Sequence, residues 1–434
     1  MVKVFFPCVL LCLTAALAQA QIDSYNSILA GNTAQQEEFS PHEFFSGRKN
    51  ISLETEYYFG SNAITSKFFT YYYLNRYIDN GLKTDVSERL DETGNRFGSE
   101  FKTSLRFTYK TKTTKNFNTL YYAGICNRNF IDALFTRDAF ELYFRGNSAY
   151  RGRTARFDDF KLRIHQYQKI TWGLMNIATG DSSKVSFGYS GSFLVGQFMK
   201  DVSISGNLFT AQNGEYLDVN ASGNLHASDS AHTKLTSLNG MGASVDFYFH
   251  YRMNDDCYLN FSVNDFGFMN WNNNTSLVSV DTSFHFEGVE VNDLFDFSDS
   301  VFTSSSLTDS AQAMQFLNHR SRQNYSQVLP VHATVDFVYH LSEEKIFFTL
   351  HDEMMTGKAF RNLAAIGMGW KGKNAVVSAE LSYGGYGNLN AGLTASFLVL
   401  KNYSLTIGSH AVNGYIAPAV STAQGVFVMF KKYL

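Results

Sequence analysis

From Val331 to Leu341 the odd positions are apolar or aromatic (Val331, Ala333, Val335, Phe337, Tyr339, Leu341), and the even ones are His332, Thr334, Asp336, Val338 and His340. Successive side chains of a strand point to opposite faces, so the two sets part onto opposite sides of a sheet. The pattern returns along the chain. Phe97, Phe101, Leu105, Phe107 and Tyr109 alternate with Glu100, Lys102, Ser104, Arg106 and Lys110, and Val245, Phe247, Phe249 and Tyr251 with Ser244, Asp246, Tyr248 and His250. Two cleaner runs, Ala375–Tyr383 and Leu389–Val399, flank Gly384-Gly385-Tyr386-Gly387-Asn388 and predict a hairpin across a glycine-rich turn. Strands are also expected near 402–410 and 422–434, whereas 60–96 and 127–183 show no alternation that fixes a register.

Composition decides between a soluble sandwich and a membrane barrel. The chain has 40 Phe and 25 Tyr, so aromatics make up 16% against only 17% charged residues. A barrel uses that excess for its apolar band and for aromatic girdles at both interfaces. Mean hydropathy of −0.18 is compatible with this, because only every second residue would meet lipid. Pro41, Pro330 and Pro418 stand at segment edges, as strands that need every ladder donor require. About 14 segments reach the ~9–11 residues that a tilted strand needs to cross a bilayer. An even number would place both ends of the barrel on the periplasmic side. No internal repeat of propeller or β-helix type is visible.

Residues 1–20 read as a signal peptide: Lys3 is the positive region, Val4–Leu17 the apolar stretch, and Ala18-Gln19-Ala20 a small-x-small cleavage site. The apolar stretch is too short for a membrane anchor, and Leu11 before Cys12 does not suit a lipoprotein signal. Cleavage would leave 414 residues (434 − 20) and move the formal charge from −3 to −4 by removing Lys3. So weak a bias implies no nucleic-acid partner. Residues 21–50 are polar and predict a tail or a small plug, with the barrel over 51–434. Cys126 and Cys257 remain in the mature chain, and nothing in the sequence pairs them or keeps them apart.

Motifs add little chemistry. Asp293-Leu294-Phe295-Asp296-Phe297-Ser298-Asp299 lacks calcium-loop spacing and reads as a solvated acidic loop within 292–327, a Ser/Asp/Asn-rich stretch expected outside the cell. The histidines show no metal-ligand spacing, so no metal or cofactor is expected. Gly188-Tyr189-Ser190-Gly191-Ser192 falls short of the nucleophile-elbow pattern, which needs Gly where Ser192 stands. Gly146–Asp159, with Arg151, Arg153 and Arg156, is expected either to fold inward or to form a periplasmic connection. Trp172, Trp271 and Trp370 suit interface anchors or ligand contacts alike. The polar faces carry Lys102, Arg106, Asp246, Asp336, His340 and Glu380, the candidate lumen-lining residues. They would either tune passage or form a packed ionic network.

Several stretches resemble a family of uncharacterised outer-membrane barrels of Bacteroidota. They are Leu142-Tyr143-Phe144-Arg145-Gly146-Asn147, Trp172-Gly173-Leu174-Met175-Asn176, Asn213-Gly214-Glu215-Tyr216-Leu217-Asp218, Asn239-Gly240-Met241-Gly242-Ala243, Asn264–Trp271 and Phe286-Glu287-Gly288-Val289. The resemblance implies a single outer-membrane barrel, loosely similar to FadL-type transporters of hydrophobic compounds, and carries no catalytic residues. The sequence therefore predicts an all-β, antiparallel transmembrane barrel of about 14 strands in a Gram-negative outer membrane. Its expected work is non-enzymatic passage of a small apolar or amphipathic compound, or anchoring of an envelope protein partner. Lipid, a small hydrophobic ligand and such a protein are the partners implied.

Overall fold

The computed structural model describes residues 49–111, 117–178, 184–229, 236–254, 256–287, 320–341, 345–372, 374–400 and 402–434. The leader expected at 1–20, all but the end of the tail or plug expected at 21–50, and the acidic run 293–299 lie outside the described residues. In chain order come β1 (Lys49–Ser61), helices α1 (Ser66–Tyr73) and α2 (Asn80–Arg89), β2 (Asn95–Lys110) and β3 (Phe117–Phe135). After helix α3 (Arg137–Arg145) follow β4 (Arg153–Arg156), β5 (Phe160–Ala178), β6 (Val185–Thr210), β7 (Tyr216–Ala227), β8 (Gly240–Arg252) and β9 (Cys257–Trp271). Next are β10 (Ser276–Glu287), β11 (Arg320–Arg322), β12 (Tyr325–Val328), β13 (His332–Leu341), β14 (Ile346–Met355) and β15 (Arg361–Lys371). The chain ends with β16 (Ala375–Gly385), β17 (Leu389–Leu400), β18 (Tyr403–Ser409), the short helix α4 (Asn413–Ile416) and β19 (Ala423–Tyr433).

Fourteen of these strands form a closed antiparallel ring, β1-β2-β3-β5-β6-β8-β9-β13-β14-β15-β16-β17-β18-β19. The last strand closes on the first from Asn50↔Tyr433 to Gly60↔Ala423. Closure leaves the wall without an edge strand, as a bilayer demands. No described helix is long and apolar enough to cross a membrane. The alternation orients every wall strand. Leu105, Phe107, Ile125, Phe193, Phe247, Val335 and Leu393 are among the large apolar residues left open to the outside, and they form the lipid-facing belt. Trp172 and Trp370 point outward with them, while Trp271 is fully buried inside.

The two rims differ. At the terminal rim lie Lys49 and Tyr433 and the strand ends Lys110 and Phe117, Ala178 and Val185, Leu341 and Ile346, and Lys371 and Ala375, each pair only a few residues apart in sequence. The other rim carries a cap. There β6 outruns the wall: its first half pairs with β8, and Lys200–Thr210 pairs instead with β7, which continues to β10. This outgrowth and the helices share a core that includes Phe68, Val86, Phe140, Val202 and Leu208. It also explains strands of 19 residues in β3 and β5 and 26 in β6, where membrane crossing alone predicts 9–11. Gly146–Asp159 is neither lumenal nor at the terminal rim. Its β4 pairs with Asn207–Thr210 of β6, and Ala155 is buried in the cap core. The stretch expected as one loop ends in strands, since β11 pairs with β10 and β12 with β9.

Candidate functional site

The inward residues build a filled lumen with an ionic centre. Arg128 of β3 hydrogen-bonds through both terminal nitrogens, while its Nε makes an ion-pair contact with Glu100 and no hydrogen bond. Nε and Nη2 reach Glu100 at 2.7 and 3.1 Å, Nη1 reaches Asp265 at 2.5 Å and the Tyr167 hydroxyl at 3.2 Å, and Nη2 reaches His332 Nε2 at 2.9 Å. A guanidinium only donates, so His332 Nε2 accepts and its Nδ1 donates to Glu353 at 3.0 Å. Lys169 of β5 lies 2.9 Å from Asp246 and 2.8 Å from Asp265. Asp246 also receives the Ser190 hydroxyl at 2.7 Å.

Backbone geometry places Asp265. Val245 pairs with Phe266 but Phe247 with Val263, so Asn264 and Asp265 together face Asp246 across a β-bulge. Asp265 adopts φ +59°, and its N–H donates to Asp246 at 2.8 Å. Aspartate tolerates this left-handed region better than most residues because its short side chain bonds locally. The bulge turns one extra carboxylate inward, between Arg128 and Lys169.

Above this centre lies a cavity of about 140 Å³. Glu56, Lys102, Arg128 and Lys169 supply its polar side, and Tyr58, Phe130, Met355, Phe360, Leu363 and Tyr386 its apolar side. Two loops of the cap rim fold inward to roof it. Asp132 accepts from the backbone N–H groups of Lys358 and Ala359, which holds Phe360 in place. Arg96 donates to the Gly387 carbonyl at 3.1 Å, drawing down the β16–β17 turn. Gly384 and Gly385, at φ +114° and +62°, allow that turn to bend inward. Gly98 leaves the space that the Tyr386 ring occupies, since a Cβ there would collide with it. Beside the roof, Trp271 sits against Gly196 and Gly240 and donates to Gln327 at 3.2 Å. Toward the terminal rim, Tyr258, Val338, Phe347 and Val376 form a buried apolar cluster on the inner face of neighbouring strands β9 to β16.

All six residues read from the sequence lie on inward faces, but not in one place. Lys102 lines the cavity, 3.9 Å from Glu56. Asp246 stands behind Lys169. Asp336 is paired with His351 at 2.5 Å and Glu380 with His410 at 3.0 Å. His340 lies between Tyr258 and Phe347, and Arg106 over the Tyr122 ring at 5.1 Å, both nearer the terminal rim. Sequence reasoning missed Arg128, Lys169, Asp265 and Tyr386. A signal for Asp265 existed, because the outward set Leu259, Phe261, Val263 changes parity to Phe266, Phe268. Ser190 is committed to Asp246. Cys126 and Cys257 are both free and buried. Among the described residues no group of three His, Cys, Asp or Glu side chains could hold a metal.

A pattern described as a family of unknown function, DUF5723, matches residues 48–406. The chain belongs to this family. The comparison with curated proteins found no match. Similar solved structures include the Pseudomonas putida toluene transporter TodX, at 10% identity over 96% of this chain and 97% of that one, TM-score 0.42. The Ralstonia pickettii toluene transporter TbuX is similar at 10% identity over 93% and 94%, TM-score 0.43. A Pseudomonas aeruginosa FadL homologue is similar at 9% identity over 90% and 91%, TM-score 0.41.

Proposed function

We propose that the protein is an outer-membrane channel that binds one small amphipathic molecule in its lumenal cavity on the way through the barrel. The terminal rim, with its short joins, then faces the periplasm and the cap faces outward, the usual arrangement of such barrels. The cavity carries this reading. There an aromatic wall and a charged wall face each other across open space. About 150 Å³ is enough for a benzene-sized guest in an engineered protein cavity, so the expected ligand is about one ring in size, with a polar group toward Lys102 and Glu56.

The alternative is a closed scaffold that holds an envelope protein, favoured by a cap with a core of its own. Binding separates the two. The mature chain in detergent is titrated with single-ring amphipaths, such as phenol, benzoate and benzylamine, by isothermal calorimetry. The channel reading expects saturable heat for at least one probe, weakened at least tenfold by filling the cavity with Ser382→Trp, an inward position of its lining. No saturable heat from any probe, in a chain shown to be folded, would leave the scaffold as the better reading.

A further inference from the structure

The cap rim carries a collar that the lumen does not use. The Phe69 ring of α1 stacks on Phe59 with centroids 4.1 Å apart and lies 5.7 Å from Phe97. Phe59 and Phe97 belong to the outward sets of β1 and β2, so α1 covers the outside of the wall and continues the lipid-facing belt toward the rim. The N–H groups of Ser66 and Lys67 donate to the carbonyls of Ser421 and Pro418, both at 2.8 Å. The segment 411–421 is thereby joined to the helix. Together they expose Tyr73, Ile416 (76%) and Val420 (62%), and Tyr77 (84%) follows just after the helix.

Two cations complete this collar. Lys67 Nζ and the Arg76 guanidinium lie 6.0 and 5.7 Å from the centre of the same Tyr71 ring. Neither forms an ion pair among the described residues, although elsewhere on the cap Arg89 pairs with Asp85 and Arg145 with Glu141. Two unpaired like charges within reach of one ring repel each other, and a bound anion lowers that cost. Aromatic side chains at headgroup depth flanked by Lys and Arg are how membrane proteins meet a phosphate-bearing surface.

We propose that the α1 and 411–421 collar lies in the headgroup layer of the membrane and that Lys67 and Arg76 hold the phosphate of an anionic lipid. The continuity of the collar with the wall favours a lipid over a soluble anion. The mature chain is reconstituted in phosphatidylcholine nanodiscs containing a minor fraction of phosphatidylglycerol and extracted, and its retained lipid is identified by native mass spectrometry. The wild type is expected to retain phosphatidylglycerol above its bulk fraction, with enrichment falling roughly fivefold for each of Lys67→Gln and Arg76→Gln. The pair Arg151→Gln and Arg153→Gln, exposed just before and at the start of β4, should leave it unchanged. Heat-modifiable gel mobility checks that every variant is folded. Unchanged enrichment in the Lys67 and Arg76 variants, or equal loss in the β4 pair, would overturn the proposal. Displacement of the lipid by inorganic phosphate would make a soluble anion the occupant and overturn it equally.

Discussion

Asp265 shows how one residue can hold the lumen together. It is 7% exposed, joins Arg128 and Lys169, and sits in a backbone region that costs most residues about 1–2 kcal/mol. Removing one partner from a buried ionic group leaves the others desolvated and unpaired, at about 3–5 kcal/mol. Asp265→Ala should therefore lower the unfolding free energy of the detergent-refolded barrel by an amount in that range. Asp265→Gly should lose about 1 kcal/mol less, because glycine accepts the positive φ. Tryptophan fluorescence during urea unfolding measures both. Equal losses in the two variants would mean that the backbone conformation contributes nothing. Ser190→Ala removes one hydrogen bond and should cost only about 1 kcal/mol, which also checks that Ser190 has a structural place in the network.

At the scale of elements, the wall was readable and the cap was not. β13, β16 and β17 alternate so regularly that the hairpin expected around Gly384–Asn388 forms, with Ala375↔Phe397 to Tyr383↔Leu389 paired. Each such residue meets either lipid or lumen, so pattern and environment agree. In β3 and β5 the outward set mixes Ile125 and Trp172 with Asn127, Asn129, Gln166 and Gln168, because these strands leave the belt and enter the cap. Polar residues therefore stand where alternation calls for apolar ones. The cavity was hidden for a related reason. Its charged side comes from residues distant in sequence, Glu56 to Lys169, and its roof from a turn whose glycines read as an ordinary tight turn. The bulge at Asn264–Asp265 was legible as a change of parity and permits a direct check. Deleting Asn264 removes the extra residue and leaves Val263-Asp265-Phe266 in plain alternation, so both halves of β9 keep their lipid-facing sets while the bulge is lost. The deletion should therefore preserve the folded, heat-modifiable band, as should Asn264→Ala, which keeps the residue count. Loss of the band in the deletion alone would mean that the bulge itself is required for folding.

For the whole molecule, the layering of the lumen sets what an electrical measurement should find. Trp271 and its neighbours lie toward the cap rim, the Arg128–Lys169 network lies in the middle, and Tyr258, Val338, Phe347 and Val376 lie toward the terminal rim. No layer is a lone constriction, so the mature chain should insert into a planar bilayer with little or no conductance. Of the blocking elements, the roof is the least covalently constrained. It is held by Arg96 on the Gly387 carbonyl and by Asp132 on the 358–359 backbone, both from outside the loops themselves. Tyr386→Ala with Phe360→Ala removes the two rings that meet at 5.2 Å over the cavity. If passage runs through the cavity, this double variant should show discrete conductance steps absent from the wild type. The cavity lining holds Glu56, Glu100, Asp265 and Glu353 against Lys102, Arg128 and Lys169, one carboxylate more than the cations. The opened path should therefore favour cations, and Glu353→Gln should reduce that preference in reversal-potential measurements. A double variant as silent as the wild type would place the barrier in the ionic centre or the terminal-rim cluster. The roof would then be a cover for a binding site and not the gate of a path.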